Sequence, residues 1–131
     1  MIDKETLIKF SKLNNLRPHQ QEKHYIQSLA LTALAEYPLV FKGGTYLWFF
    51  HGLKRFSEDL DFTSNGKLPK NLGEQVSESL ELFGVENTFK MITDSENAYS
   101  FRLMAKGQLY NSEKDACYVY VEISTREEVI L

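Results

Sequence analysis

Apolar positions along this chain change their period as it proceeds, from helical spacing near the start to strict alternation near the end. Leu7, Ile8 and Phe10 share one side of a stretch that Asp3 can cap and that Asn14-Asn15 stops, which predicts a helix to about Asn14. A longer helix follows: Pro18 suits its first turn, Ile26, Leu29, Ala30, Ala33 and Leu34 recur at helical spacing, and Tyr37-Pro38 closes it. Residues 39–41 then read as a short buried strand ending at Gly43-Gly44, and residues 45–51 as a helix apolar nearly all round, hence interior, released by Gly52. Residues 60–63 form another strand, Ser64-Asn65-Gly66 a turn, and Pro69 opens a helix with Leu72, Val76, Leu80 and Phe83 inward and Gly84 as its stop. From there the pattern is stranded: residues 85–93, 99–105 and 117–124, separated by polar turns at 94–97 and 107–116. The expected architecture is α+β, a small mixed or antiparallel sheet flanked by helices.

Composition narrows this picture modestly. With 131 residues, 43% hydrophobic and 13% aromatic, the chain is expected to form one domain over residues 1–131, with N-terminal helices at 1–37 and a core at 38–131. A formal charge of -3 argues against a broad polyphosphate-binding surface, so a nucleic-acid partner would be gripped locally. The first residues lack the apolar core of a signal peptide, and the longest apolar run, at 46–50, is too short to span a bilayer, so a cytoplasmic location without membrane contact is expected. Cys117 has no partner for an internal disulfide and sits in a strand pattern, which makes it a packing residue.

The chemistry concentrates in residues 42–61 and at 122. Asp59 and Asp61 alternate with the strand period, so both project from one face while Leu60 and Phe62 face the core. Carboxylates that close together repel unless a cation lies between them, and hard oxygen ligands suit Mg2+ carrying substrate phosphates. On the last strand Cys117, Val119, Val121 and Ile123 form one face, and Tyr118, Tyr120, Glu122 and Ser124 the other. If that strand lies beside the aspartate strand in matching register, Glu122 supplies a third carboxylate. Three carboxylates can hold two Mg2+ ions that clamp an attacking hydroxyl and a leaving pyrophosphate of an NTP. Gly43 and Gly44 before a helix let backbone N–H groups approach phosphates, Thr45 adds a hydroxyl, and Lys42, Lys54, Arg55 and Ser57 flank the site, with Arg55 best equipped for bidentate contact.

Each signal also has a plainer reading. An Asp-x-Asp can be a solvated strand end, a glycine pair a tight turn, and Glu122 an exposed residue on an edge strand. Trp48, Phe49 and Phe50 read as core packing rather than as a base-stacking surface, and Tyr118 and Tyr120 suit either a pocket or any half-exposed strand. His19, His24 and His51 lack ligand-like spacing, which argues against zinc.

The segments Glu22-Lys-His-Tyr25, Phe41-Lys-Gly-Gly-Thr45, Arg55-Phe-Ser-Glu-Asp-Leu-Asp-Phe62 and Val121-Glu-Ile-Ser124 resemble, in this order, the AbiEii/AbiGii toxin family of nucleotidyltransferases. The resemblance covers about residues 20–126. It implies a polymerase-beta-type nucleotidyltransferase fold in which Gly44 and Thr45 hold the triphosphate, Asp59 and Asp61 bind metal, and Glu122 is the third acidic position. It further implies transfer of a nucleotide from an NTP to an acceptor hydroxyl on RNA (such as tRNA), protein or a small molecule, in a toxin–antitoxin or abortive-infection phage-defence setting with an opposing antitoxin. His24 stands where this family more usually has Asp, and that segment reads as helix packing. Family members carry a C-terminal helical part beyond the third acidic strand, which would lie after Leu131. Two other readings compete: a catalytically incomplete module that binds an antitoxin or a nucleotide, and a small-molecule nucleotidyltransferase of the antibiotic-modifying type.

Overall fold

The computed structural model describes residues 2–42 and 59–125, with only the backbone of Phe41 and Lys42. The expected helix at 45–51 and the site residues Gly43, Gly44, Thr45, Arg55 and Ser57 lie outside the described residues, as do Lys54, His51 and the aromatic run Trp48 to Phe50.

Helix α1 (Lys4–Leu13) begins where the Asp3 carboxylate accepts the Thr6 N–H at 2.7 Å, a side-chain N-cap. It ends at Asn14, and Asn15 takes a positive φ of 57°, a conformation Asn tolerates better than most residues. Leu7 is buried, but Phe10 is 44% exposed, so the apolar side expected from sequence is narrower than drawn. Helix α2 (Pro18–Leu34) starts with Pro18, whose missing N–H costs nothing in a first turn, and the Gln20 side chain accepts the Arg17 N–H at 3.0 Å. Its buried stripe is Ile26, Ala30 and Leu34.

Strand β1 (Leu39–Lys42) pairs antiparallel with β2 (Asp59–Ser64). Leu39 and Val40 are half-buried rather than buried, because β1 lies at one end of the strand order. Helix α3 (Leu72–Leu82) begins three residues after Pro69, which contributes a preceding turn instead of opening the helix. Phe83 was expected to face inward and is 41% exposed. The physical reason is the stop itself: Gly84 adopts φ 86°, the Gly84 N–H donates to the Glu81 carbonyl and the Val85 N–H to the Leu80 carbonyl, both at 2.9 Å. That Schellman closure turns the chain so that Val85, not Phe83, enters the core.

Strands β3 (Glu86–Asp94) and β4 (Ala98–Lys106) form an antiparallel pair with a register shift between Met91 and Thr93. A short 3-10 turn (Glu113–Asp115) interrupts the connection to β5 (Cys117–Ser124). Among the described residues the sheet has five strands in the order β1-β2-β5-β4-β3, with β2 and β5 parallel and the other pairs antiparallel. The fold is therefore α+β with a mixed sheet, and β5 is its middle strand. The edge-strand reading of Glu122 is corrected accordingly. A parallel pair needs a long crossover, and α3 with the β3–β4 hairpin provides it.

One face of the sheet carries the core. Leu60, Phe62, Phe101, Leu103, Val119, Val121 and Ile123 meet Ile26, Ala30 and Leu34 of α2 and Leu72, Val76 and Leu80 of α3. Phe101 is fully buried, with the rings of Phe89 and Tyr99 at 5.7 and 5.9 Å. Since strand residues alternate, everything that α2 and α3 do not cover points to the opposite face. No described helix is long and apolar enough to cross a membrane.

Candidate functional site

Alternation on β2 separates its side chains cleanly: Leu60 and Phe62 are buried in the core, Asp59 is exposed and Asp61 is half-exposed on the other face. The parallel register sets Asp61 opposite Glu122 and Asp59 opposite Tyr120. Neighbouring strands lie about 4.8 Å apart, so Asp61 and Glu122 are lateral neighbours and Asp59 sits one strand repeat, about 7 Å, along β2. The structure thus brings together the three carboxylates singled out in the sequence. Lys42 ends β1 directly opposite Asp61 in the backbone ladder.

The electrostatics follow from this crowding. Although Glu122 as a residue is exposed, partial burial of its carboxyl raises its pKa first, and the charges of Asp61 and Asp59 and a hydrogen bond with the Asp61 side chain raise it further. An acid beside two others is stabilised by a nearby cation. Among the described residues, no three His, Cys, Asp or Glu side chains already form a metal cage. The carboxylates are spread along two strands, and their chemistry fits a hard divalent cation drawn in with its own phosphate ligands better than a closed protein site.

A cleft of about 470 Å3 opens beside them, lined by Asp61, Glu122, Thr93, Asn97, Ser100 and Ser124 among others. Ser100 pairs with Glu122 across the β4–β5 ladder, and Thr93 pairs with Ser100 from β3. These neutral polar residues were missed in the sequence. The alternation of Ser100 on β4 was visible, but which strand it would face was not. Tyr118 and Tyr120 also lie on this face.

Away from the carboxylates, Glu22 of α2 is 4% exposed, and its carboxylate accepts the backbone N–H of Leu109 at 3.0 Å and that of Gln108. Burial raises its pKa, and the two N–H donors partly offset that. Gly107 makes room for this contact, since a Cβ there would stand 2.3 Å from the Glu22 carboxyl carbon. The Glu22-to-Tyr25 segment was read as helix packing, and its tie to the β4–β5 connection gave no sequence signal. Cys117 lies nearby, its thiol pushed up to about 12 chiefly by burial, and it therefore stays protonated and unreactive at neutral pH.

Residues 27–131 match the family model described as nucleotidyl transferase AbiEii toxin, type IV TA system. No curated protein matches the chain. A proposed nucleotidyltransferase from Helicobacter pylori superposes with a TM-score of 0.73 at 26% identity, covering 86% of this chain and 48% of that one. JHP933, also from Helicobacter pylori, gives 0.69 at 24% identity, covering 85% and 46%. MenT4, a nucleotidyltransferase toxin from Mycobacterium tuberculosis, gives 0.60 at 20% identity, covering 96% and 44%. The last two likenesses speak for the fold alone. The chain spans just under half the length of each of these solved proteins.

Proposed function

Because the chain belongs to the AbiEii nucleotidyl transferase toxin family, we propose that it serves a divalent-metal-dependent transfer of a nucleotide from an NTP to an acceptor hydroxyl. The observation that carries this reading is the register that sets Glu122 beside Asp61 on the sheet face left uncovered by α2 and α3. Asp59, Asp61 and Glu122 would hold Mg2+, in one or two ions. A bound divalent ion would neutralise charge developing on the α-phosphate and the leaving pyrophosphate. Gly43, Gly44 and Thr45, with Lys42, Arg55 and Ser57, are assigned to the triphosphate on the strength of the sequence pattern.

The reaction is a substitution at phosphorus. The acceptor oxygen forms a bond to the α-phosphorus, the α–β anhydride bond breaks, and pyrophosphate departs with its electron pair. The hydroxyl proton passes to a nearby base, and one of the three carboxylates would help activate the nucleophile in this way. The family description supports a toxin opposed by an antitoxin; abortive infection of phage-infected cells is the setting proposed for it. The cleft lined by Ser100, Thr93 and Asn97 lies on the Glu122 side and would seat the hydroxyl-bearing part of the acceptor.

Incubation of the protein with α-labelled NTPs, Mg2+ and, in parallel, total RNA or total protein tests this reading. Label on one acceptor pool, with release of pyrophosphate, is the expected result. Label on neither pool would overturn it and favour a module that only binds nucleotide or antitoxin.

A further inference from the structure

Arg102 lies on β4 two residues beyond Ser100, on the face that carries the carboxylates. Its neighbour across β5 is Tyr120, whose own neighbour on β2 is Asp59, and on its other side β3 places Lys90. The face thus carries two adjoining rows: Lys90, Arg102, Tyr120 and Asp59 in one, and Ser100, Glu122 and Asp61 in the next. Arg102 leans along β5 away from the carboxylates, its guanidinium carbon 5.0 Å from the centre of the Tyr118 ring. Stacking of this kind holds the guanidinium plane in place.

The Arg102 Nε is buried and has no hydrogen-bond partner among the described residues. An unsatisfied buried donor costs about 1–3 kcal/mol, and more when the group is charged; the guanidinium is held here with no donor spent on the described residues, and its outer N–H groups, which are not among the buried unpartnered atoms, are left for an acceptor brought from outside. The planar guanidinium matches a phosphate in shape and charge better than any other common anion except a carboxylate. Lys90 is exposed beside it. Tyr118 lies two residues beyond Tyr120 along β5, on the side away from Glu122.

We propose that Arg102, supported by Lys90, binds a phosphate group of the acceptor, so that the acceptor lies along β5 with its phosphate over the Arg102–Tyr118 pair and its hydroxyl beside Glu122. This rests on the nucleotide-transfer reading and selects among its acceptors. A phosphorylated acceptor is favoured, while a cationic aminosugar of the antibiotic type would meet two positive side chains on its way to Glu122. The polynucleotide and the small phosphorylated molecule share this chemistry and differ in reach. Tyr118 and Glu122 are four residues apart on β5, roughly 13 Å of strand, a span that suits more than one nucleotide unit.

The test measures binding of a short oligoadenylate, of adenosine 5′-monophosphate and of adenosine to the protein and to its R102Q, R102K and K90Q variants, at low and high salt, with transfer assayed in parallel. R102Q is expected to weaken binding of the phosphorylated probes by roughly tenfold or more and K90Q by roughly threefold, with adenosine unaffected. R102K is expected to fall between, since it keeps the charge without the fork. Loss confined to the oligoadenylate identifies a polynucleotide acceptor, and equal loss on the monophosphate a small phosphorylated one. Equal binding of both phosphorylated probes by the wild type and a folded R102Q, or binding of neither by the wild type, overturns the proposal. If R102Q loses the probes but no protein transfers label, the transfer reading fails and the phosphate seat stands.

Discussion

Ionising Glu122 is harder in the folded chain than in the unfolded one, because its carboxyl is partly buried and faces Asp61 and Asp59. A raised carboxyl pKa means that the folded state binds the proton more tightly, so metal-free stability falls as pH rises from the ordinary value through the raised one. Glu122→Gln removes that penalty and is expected to stabilise the protein in chelator at neutral pH by less than about 1 kcal/mol, the scale of a cross-strand like-charge contact, seen as a higher melting temperature. The gain over wild type should vanish at pH values below the ordinary carboxyl range, as a pH series of thermal melts would show. Added Mg2+ should stabilise the wild type more than the variant. Asp61→Asn and Asp59→Asn are expected to leave the fold intact and to cut label transfer by roughly a hundredfold or more, in a single-turnover assay. That Asp59 and Asp61 share one strand face was legible from their alternation alone. Ser100 and Arg102 were not, since nothing local to residues 99–105 says which carboxylate they will face.

At the level of elements, the clearest unforeseen feature is the tie between α2 and the β4–β5 connection. Glu22→Ala leaves the N–H groups of Leu109 and Gln108 without their acceptor and is expected to cost about 1–3 kcal/mol in urea unfolding. Glu22→Gln keeps an acceptor oxygen without a buried charge and should cost less than Glu22→Ala. A similar loss for both variants would contradict the hydrogen-bond account. Gly107→Ala is expected to match Glu22→Ala, because its Cβ would displace the same carboxylate. The elements themselves were largely readable: Asp3 capped α1, Pro18 opened α2 and Gly84 closed α3 for the local reasons that their side chains suggest. Phe83 was misplaced because periodicity shows which side a residue takes but not where packing along that side ends.

For the molecule as a whole, function depends on a sheet with one face in the core and the other left to chemistry. Pairing order is what joins β2 to β5, and it is a long-range property. Residues 59–64 and 117–124 are neighbours in the sheet although α3, β3 and β4 lie between them in the chain. The alternation of each strand was therefore visible, while the central place of β5 was not. The fully buried Phe101 anchors the covered face, and Phe101→Ala is expected to cost about 3–5 kcal/mol in denaturant unfolding, a large share of the roughly 5–15 kcal/mol that holds a domain together. A variant so weakened should lose transfer only in proportion to the unfolded fraction, unlike Asp61→Asn, which should lose it while folded.

The most direct test of the shared-carboxylate site is paramagnetic broadening of assigned amide resonances by substoichiometric Mn2+ in the presence of an NTP. Broadening should centre on Asp59, Asp61 and Glu122, spread to Ser100 and Tyr120 across the ladder, and be lost in Asp61→Asn. Broadening centred elsewhere, or unchanged in that variant, would contradict it.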